Sequence, residues 1–150
     1  MRSRWVKVGV WAAGILLAGV LTAALGVRYT ESAGFCASCH VMRGSYETWF
    51  HSAHREVTNC NSCHVPQAMP YKLYYKAKSG AWDALIFYSG RAPADLRTKA
   101  DSREIIQSNC VRCHQTLVRE IGRGAGENCY DCHRFTPHGL RARSGPFGAE

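Results

Sequence analysis

The longest feature of the hydrophobic pattern is a charge-free run of 20 residues, Val8 to Val27, bounded by Lys7 and Arg28. At 1.5 Å per residue a helix of that length spans about 30 Å, the hydrocarbon thickness of a bilayer. The pattern therefore predicts one membrane crossing over residues 8–27. Arg2, Arg4 and Lys7 precede it, so the positive-inside rule leaves residues 1–7 in the cytoplasm and puts everything after Arg28 outside. A cleavable signal peptide is the competing reading, with Thr22-Ala23-Ala24 as a weak cleavage site. The apolar region of such a leader usually runs only about 7 to 15 residues, which favours the anchor.

A second pattern follows further on. Leu73, Ala77, Gly80, Ala84, Leu85 and Tyr88 recur at spacings of three and four, which predicts an amphipathic helix over residues 70–89, opened by Pro70 and closed by Gly90. Lys76 and Asp83 are seven apart on it, two turns or about 10 Å, and project from the same side. Tyr71, Tyr74, Tyr75, Trp82, Phe87 and Tyr88 give it the amphipathic rings of a membrane–water boundary. Elsewhere the pattern is weak. Residues 91–102 read as a charged connector, Asp101-x-x-Glu104 as the cap of a short helix running into Cys110, residues 122–126 as a flexible loop, and residues 141–150 as a mobile tail.

Chemistry enters with the cysteines. All eight fall into four copies of one motif: Cys36-Ala-Ser-Cys39-His40, Cys60-Asn-Ser-Cys63-His64, Cys110-Val-Arg-Cys113-His114 and Cys129-Tyr-Asp-Cys132-His133. C-x-x-C-H is the attachment signature of c-type haem: two thiols add to the porphyrin vinyl groups and the histidine ligates the iron. A zinc ribbon gives no reason for a histidine after every second cysteine, and a C-x-x-C disulfide is strained and reducible. The expectation is four covalent haems in residues 28–140. The macrocycles would supply much of the apolar interior of so short a chain. The predicted fold is thus mainly α with much irregular structure, a single N-terminal transmembrane helix plus a compact tetrahaem c-type cytochrome domain. Covalent haem attachment also places that domain in the bacterial periplasm, beyond the inner membrane.

The formal net charge of +8 is then no sign of nucleic acid. Four haems carry roughly eight propionate carboxylates, ordinary partners for Lys and Arg, and no basic run is interleaved with stacking aromatics.

Axial ligands decide what each haem can do. Besides the four motif histidines the chain has three, His51, His54 and His138. His138, five residues after His133, has little room to reach its own haem, and is expected at the haem of Cys110 and Cys113. His54 is expected at that of Cys129 and Cys132. The Cys60/Cys63 haem then keeps His64 and lacks a clear second ligand, leaving His51 or a side chain borrowed from a partner. In the first motif Met42 follows two residues after His40, and a thioether there can take the place of His40 at the iron.

One N-terminal anchor, then F-C-x-S-C-H-x-M over Phe35 to Met42, C-N-x-C-H-x-P over Cys60 to Pro66, and two further motifs with a histidine five residues past the last resembles the NapC/NirT family of membrane-anchored multihaem quinol dehydrogenases. The resemblance covers about Val8 to Leu140, and the short spacing between motifs points to the branch that serves cytochrome c nitrite reductase. It implies that Met42, rather than His40, ligates the first haem beside a quinol site at the membrane surface. It also matches Lys76 and Asp83 to a K-x(6)-D pair, Asp83 covering the open face of that haem and Lys76 approaching the quinol oxygen.

On this resemblance the chain oxidises menaquinol or another quinol from the membrane pool. It passes the electrons to the catalytic subunit of a periplasmic multihaem nitrite reductase, which converts nitrite to ammonia, in a hetero-oligomer at the lipid bilayer. Asp83 is the candidate proton acceptor and Lys76 orients the hydroxyl. Two alternatives remain at this level. One is a tethered electron carrier without quinol chemistry, and the other is a quinol dehydrogenase serving nitrate or another periplasmic reductase.

Overall fold

The computed structural model describes residues 2–93, 96–121 and 127–139. The order of α-helices is α1 Arg2–Tyr29, α2 Ala33–Ala37, α3 Arg43–Phe50, α4 Cys60–His64, α5 Tyr71–Tyr88, α6 Ala100–Cys113, α7 Gln115–Ile121 and α8 Cys129–Cys132. Tight 3-10 turns lie at His40–Met42 and Ala53–Glu56. No strand occurs among the described residues. The loop at 122–126 and the tail at 141–150 lie outside them.

The apolar run forms the centre of a longer helix. Of α1, Ser3–Tyr29 is long and apolar enough to span a bilayer, with a mean hydropathy of 2.1. Among the described residues only its outer end, at Val27 and Tyr29, meets the rest of the chain; Trp5, Trp11, Ile15 and Leu16 are all more than two-thirds exposed. Such a surface needs a non-aqueous solvent.

α5 forms within one residue of the expected limits at each end. Gly90 ends it at φ +70, a conformation open to glycine without strain. Arg91 N–H donates to Ile86 O and Gly90 N–H to Phe87 O, both 3.1 Å, the paired bonds of a Schellman motif. The start of α6 differs from the expected cap. Lys99 holds the N-cap position without a side-chain bond, and Asp101, already inside the helix, accepts from Ser102 N–H at 2.8 Å.

The caps occur at the haem motifs instead. Asn59 Oδ1 accepts from Ser62 N–H at 2.9 Å while Ser62 Oγ accepts from Asn59 N–H at 3.1 Å. This reciprocal box closes one turn over Cys60–His64. At the fourth motif Asp131 Oδ2 accepts from Asn128 N–H at 3.0 Å. One helical turn sets both thiols and the following histidine along one side of the chain, so these small polar residues shape the attachment sites.

Side chains alone make almost no core. Among the described residues only Trp49 and Val65 are buried hydrophobics, with Asn109 the one buried polar residue. A domain of this length cannot offset its chain entropy with two buried hydrophobic side chains. The mainly helical fold is as expected, with α6 running 14 residues directly through the third motif.

Candidate haem and quinol site

The four motifs follow one another in space as they do in sequence. The Cys36 and Cys60 thiols lie close together. Cys63 lies near Cys113, and Cys110 near both Cys63 and Cys129. Asn109 fixes the middle of this series: from α6 its Nδ2 donates to Cys63 O and Val65 O, both at 3.0 Å. Gln107, half a turn earlier on α6, accepts from Cys129 N–H at 2.8 Å. All eight cysteines are free of disulfides.

Two pairs of imidazoles face one another. The rings of His54 and His114 have centroids 6.2 Å apart, and those of His64 and His138 are 6.0 Å apart. A metal bonded to one nitrogen of each ring at about 2 Å stands roughly 3 Å from each ring centre, so two rings on opposite faces of one iron lie roughly 6 Å apart. Both pairs meet that condition. A cavity of ≈ 260 Å³ lies at the first pair, lined among others by His54, Cys110, Cys113 and His114. The sparse side-chain core, the facing rings and the thiols beside them fit haem as the missing interior.

These pairings correct the expected ones. His54 stands at the Cys110/Cys113 site rather than the Cys129/Cys132 site, and His138 stands at the Cys60/Cys63 site rather than the Cys110/Cys113 site. Among the described residues no second imidazole faces His133, so of the last three motifs the one without a facing histidine is the fourth rather than the second. His51 is exposed, its Nδ1 2.8 Å from Glu47 O of its own helix turn, and faces no motif histidine.

The surroundings orient the His138 ring and favour the neutral form of His64 and His138. His138 Nδ1 lies 3.0 Å from Ser45 O. A carbonyl only accepts, so Nδ1 carries the proton and Nε2 keeps its lone pair. Burial, with His138 as neighbour, pushes His64 down to about 4, and burial also lowers His138. Burial thus favours the neutral form of both rings, the form that metal ligation requires. On the opposite side, Trp49 Nε1 donates to Thr58 Oγ1 at 3.3 Å and that hydroxyl donates to His54 O at 2.7 Å, fixing the loop that carries His54.

The first motif sits where α1 ends. The rings of Tyr29 and Phe35 meet edge to face at 5.4 Å, and His40 packs on Phe87 of α5 at 5.6 Å. Met42 closes the 3-10 turn that begins at His40. Asp83 lies one turn before Phe87, on the face of α5 that meets this motif. Its carboxylate makes an exposed ion pair with Lys99 at 3.5 Å. Lys76, two turns earlier, reaches α1 instead: its Nζ donates to Val27 O at 3.2 Å and lies 4.0 Å from Glu31 Oε1. The structure thus places Lys76 and Asp83 on one side of α5 with separate partners.

Four contributors escaped the sequence reading. Asn109 and Gln107 carry no local signal beyond an amide just before a cysteine motif. Glu31 and Lys72 were findable: an acid three residues past the basic end of an anchor, and lysines one turn apart on the next amphipathic helix.

Comparison with known proteins bears on this arrangement. Residues 1–117 match the model of the NapC/NirT cytochrome c family, N-terminal region. The chain is 34% identical to cytochrome c nitrite reductase subunit NrfH of Nitratidesulfovibrio vulgaris over 135 residues, covering 89% of this chain and 84% of the relative. It is 32% identical to cytochrome c-type protein NrfH of Wolinella succinogenes over 118 residues, covering 69% and 67%. Its fold is similar to a chain in the crystal structure of the cytochrome c nitrite reductase NrfHA complex bound to the inhibitor HQNO. There the TM-score is 0.76 at 30% identity, over 89% of this chain and 94% of the other.

Proposed function

Because the chain belongs to the NapC/NirT cytochrome c family and is a membrane-anchored protein carrying covalent c-type haem, we propose that it binds four haems, oxidises quinol from the bilayer and delivers the electrons to the catalytic subunit of a nitrite reductase. The observation that carries this reading is the position of the first motif, held between the outer end of α1 and α5 through Tyr29–Phe35 and His40–Phe87. The start of the haem series is thereby set at the membrane edge, where a bilayer-soluble reductant arrives.

The residues divide the work as follows. The eight cysteines of the four motifs hold the haems, which supply one-electron acceptance and transfer. His64 with His138, and His114 with His54, would hold the irons of the second and third sites and leave small ligands no place there. Met42 serves the first site, with the His40 ring occupied against Phe87. Oxidation of one quinol releases two electrons and two protons. Asp83 takes a proton from the quinol hydroxyl, and its exposure gives that proton a direct exit to the periplasm. Lys76 donates a hydrogen bond to the quinol oxygen and holds it for transfer. Both protons leave on the periplasmic side, so this step moves no net charge across the bilayer.

The partner reading rests on the NrfHA relative and on the fourth site. His133 provides one ligand there, and its open face suits a donor side chain from the docked reductase subunit. Residues 1–7 lie in the cytoplasm and the haem domain in the periplasm. The Asp83–Lys99 ion pair favours one competing reading, in which α5 is a solvated surface and the protein only relays electrons from another cytochrome.

Reduction of the purified protein by a menaquinol analogue decides between them. Asp83→Asn is expected to slow it about 100-fold or more while dithionite reduction and haem content stay unchanged; a variant that quinol reduces at the wild-type rate would falsify the assignment of Asp83.

A further inference from the structure

We propose that Glu31 is a positioning residue for quinol oxidation, holding the Lys76 ammonium at the junction of α1, the first haem motif and α5; the assignment rests on the quinol reading above. Glu31 lies just past the end of α1 and collects two lysines from successive turns of α5. Lys72 Nζ is 2.7 Å from Oε1 and Lys76 Nζ is 4.0 Å from the same oxygen. Lys76 is the more enclosed of the two, its side chain 14% exposed against 22% for Lys72.

The geometry separates their tasks. Lys72 makes the close contact and ties α5 to the chain leaving the membrane. An ammonium has three hydrogens. Lys76 gives one to Val27 O, a carbonyl at the end of α1 that also accepts from Thr30 Oγ1 at 3.0 Å, and directs a second toward Glu31. The third remains for an oxygen arriving from the bilayer.

Four groups set the charge around this ammonium. Glu31 is the counter-charge and Lys72 the like charge one turn away on the same helix. Cys36 lies beside it on α2, uncharged once thioether-linked, and Arg28 of α1 faces Glu31. Burial already lowers the affinity of Lys76 for its proton, and Glu31 works against that loss. Remove the carboxylate, and two ammonium groups face each other across one turn with Arg28 nearby. Lys76 then either swings outward or gives up its proton, and quinol binding weakens in both cases.

The test uses the full-length haem-loaded protein in proteoliposomes, with a reduced water-soluble naphthoquinone as probe. Glu31→Gln keeps size and removes charge. The expected result is a KM for quinol raised about tenfold, with an alkaline limb of the pH profile displaced to lower pH. Haem content and dithionite reduction remain those of wild type, and Glu31→Asp recovers most of the affinity. Wild-type KM and an unmoved alkaline limb in Glu31→Gln overturn the proposal. So does a loss of haem content that Asp does not restore, which would make Glu31 a structural tie alone. If dithionite reduces the wild-type protein and the quinol does not, the quinol reading fails and takes the assignment of Glu31 with it. If quinol reduces wild type and Glu31→Gln alike, Glu31 alone is refuted.

Discussion

His138 and His64 face each other at 6.0 Å across 74 residues of sequence, and Ser45 O holds the His138 ring in place through Nδ1. The neutral Nε2 is thereby turned to the second motif rather than the third. His138→Ala is accordingly expected to leave four haems attached and to convert one of them, that of Cys60 and Cys63, from low to high spin. His54→Ala is expected to do the same at the Cys110/Cys113 site. Electron paramagnetic resonance of the oxidised protein checks both. Conversion of the His114 haem in His138→Ala, or of the His133 haem in His54→Ala, would restore the pairing expected from sequence.

The unfaced His133 yields a separate prediction. In the isolated protein the fourth haem is expected to carry one protein ligand and to bind small exogenous ligands such as carbon monoxide when reduced. On the proposed reading, docking of the reductase catalytic subunit is expected to fill that face. A stoichiometric mixture is therefore expected to lose one high-spin signal and one carbon monoxide site relative to the sum of its parts. Titration followed by visible spectroscopy measures the change, and spectra that simply add reject a shared ligand.

The local parts of this architecture were legible in sequence, and the distant ones were not. The anchor, the four motifs and α5 each rest on spacings within about 20 residues, where periodicity and covalent chemistry speak directly. The His54–His114 and His64–His138 pairs depend on how α4 meets α6. That packing is set by Asn109 donating across to Cys63 O and Val65 O, and no periodic signal in the chain encodes it. Reasoning from reach alone excluded only the nearest haem for each spare histidine and left the choice among the others to chance. The cap at Asp101 failed for a different reason. Its side chain was satisfied by the adjacent Ser102 N–H, a competing local bond of the kind short acidic residues favour.

Asn109 should accordingly be costly to replace. It is 5% exposed and satisfies two backbone carbonyls. Asn109→Ala leaves Cys63 O without this donor, while Val65 O keeps its bond from Gln67 Nε2 at 2.6 Å, at a cost of about 1 to 3 kcal/mol by the usual penalty for one unsatisfied buried group. Denaturant unfolding of the haem-loaded protein measures this. A loss under about 0.5 kcal/mol, the scale of ordinary surface changes, contradicts the view that Asn109 fixes α4 on α6.

Glu31 gives the junction its pH dependence. Its hydrogen bond to Lys72, together with the charges of Lys72, Lys76 and Arg28, holds the carboxyl below the ordinary carboxylate range. A carboxyl whose folded value is depressed adds stability that is fully present above its unfolded value, near 4.3. That stability is lost as pH falls through the lower folded value. The difference in thermal stability between wild type and Glu31→Gln is therefore expected to be constant from neutral pH down to about 5, to shrink below that, and to vanish at the acid end. The pair is only partly enclosed, so raised salt should narrow the difference. Thermal scans across pH at two ionic strengths test this, and a difference that grows on acidification would show that Glu31 is not held ionised by these cations.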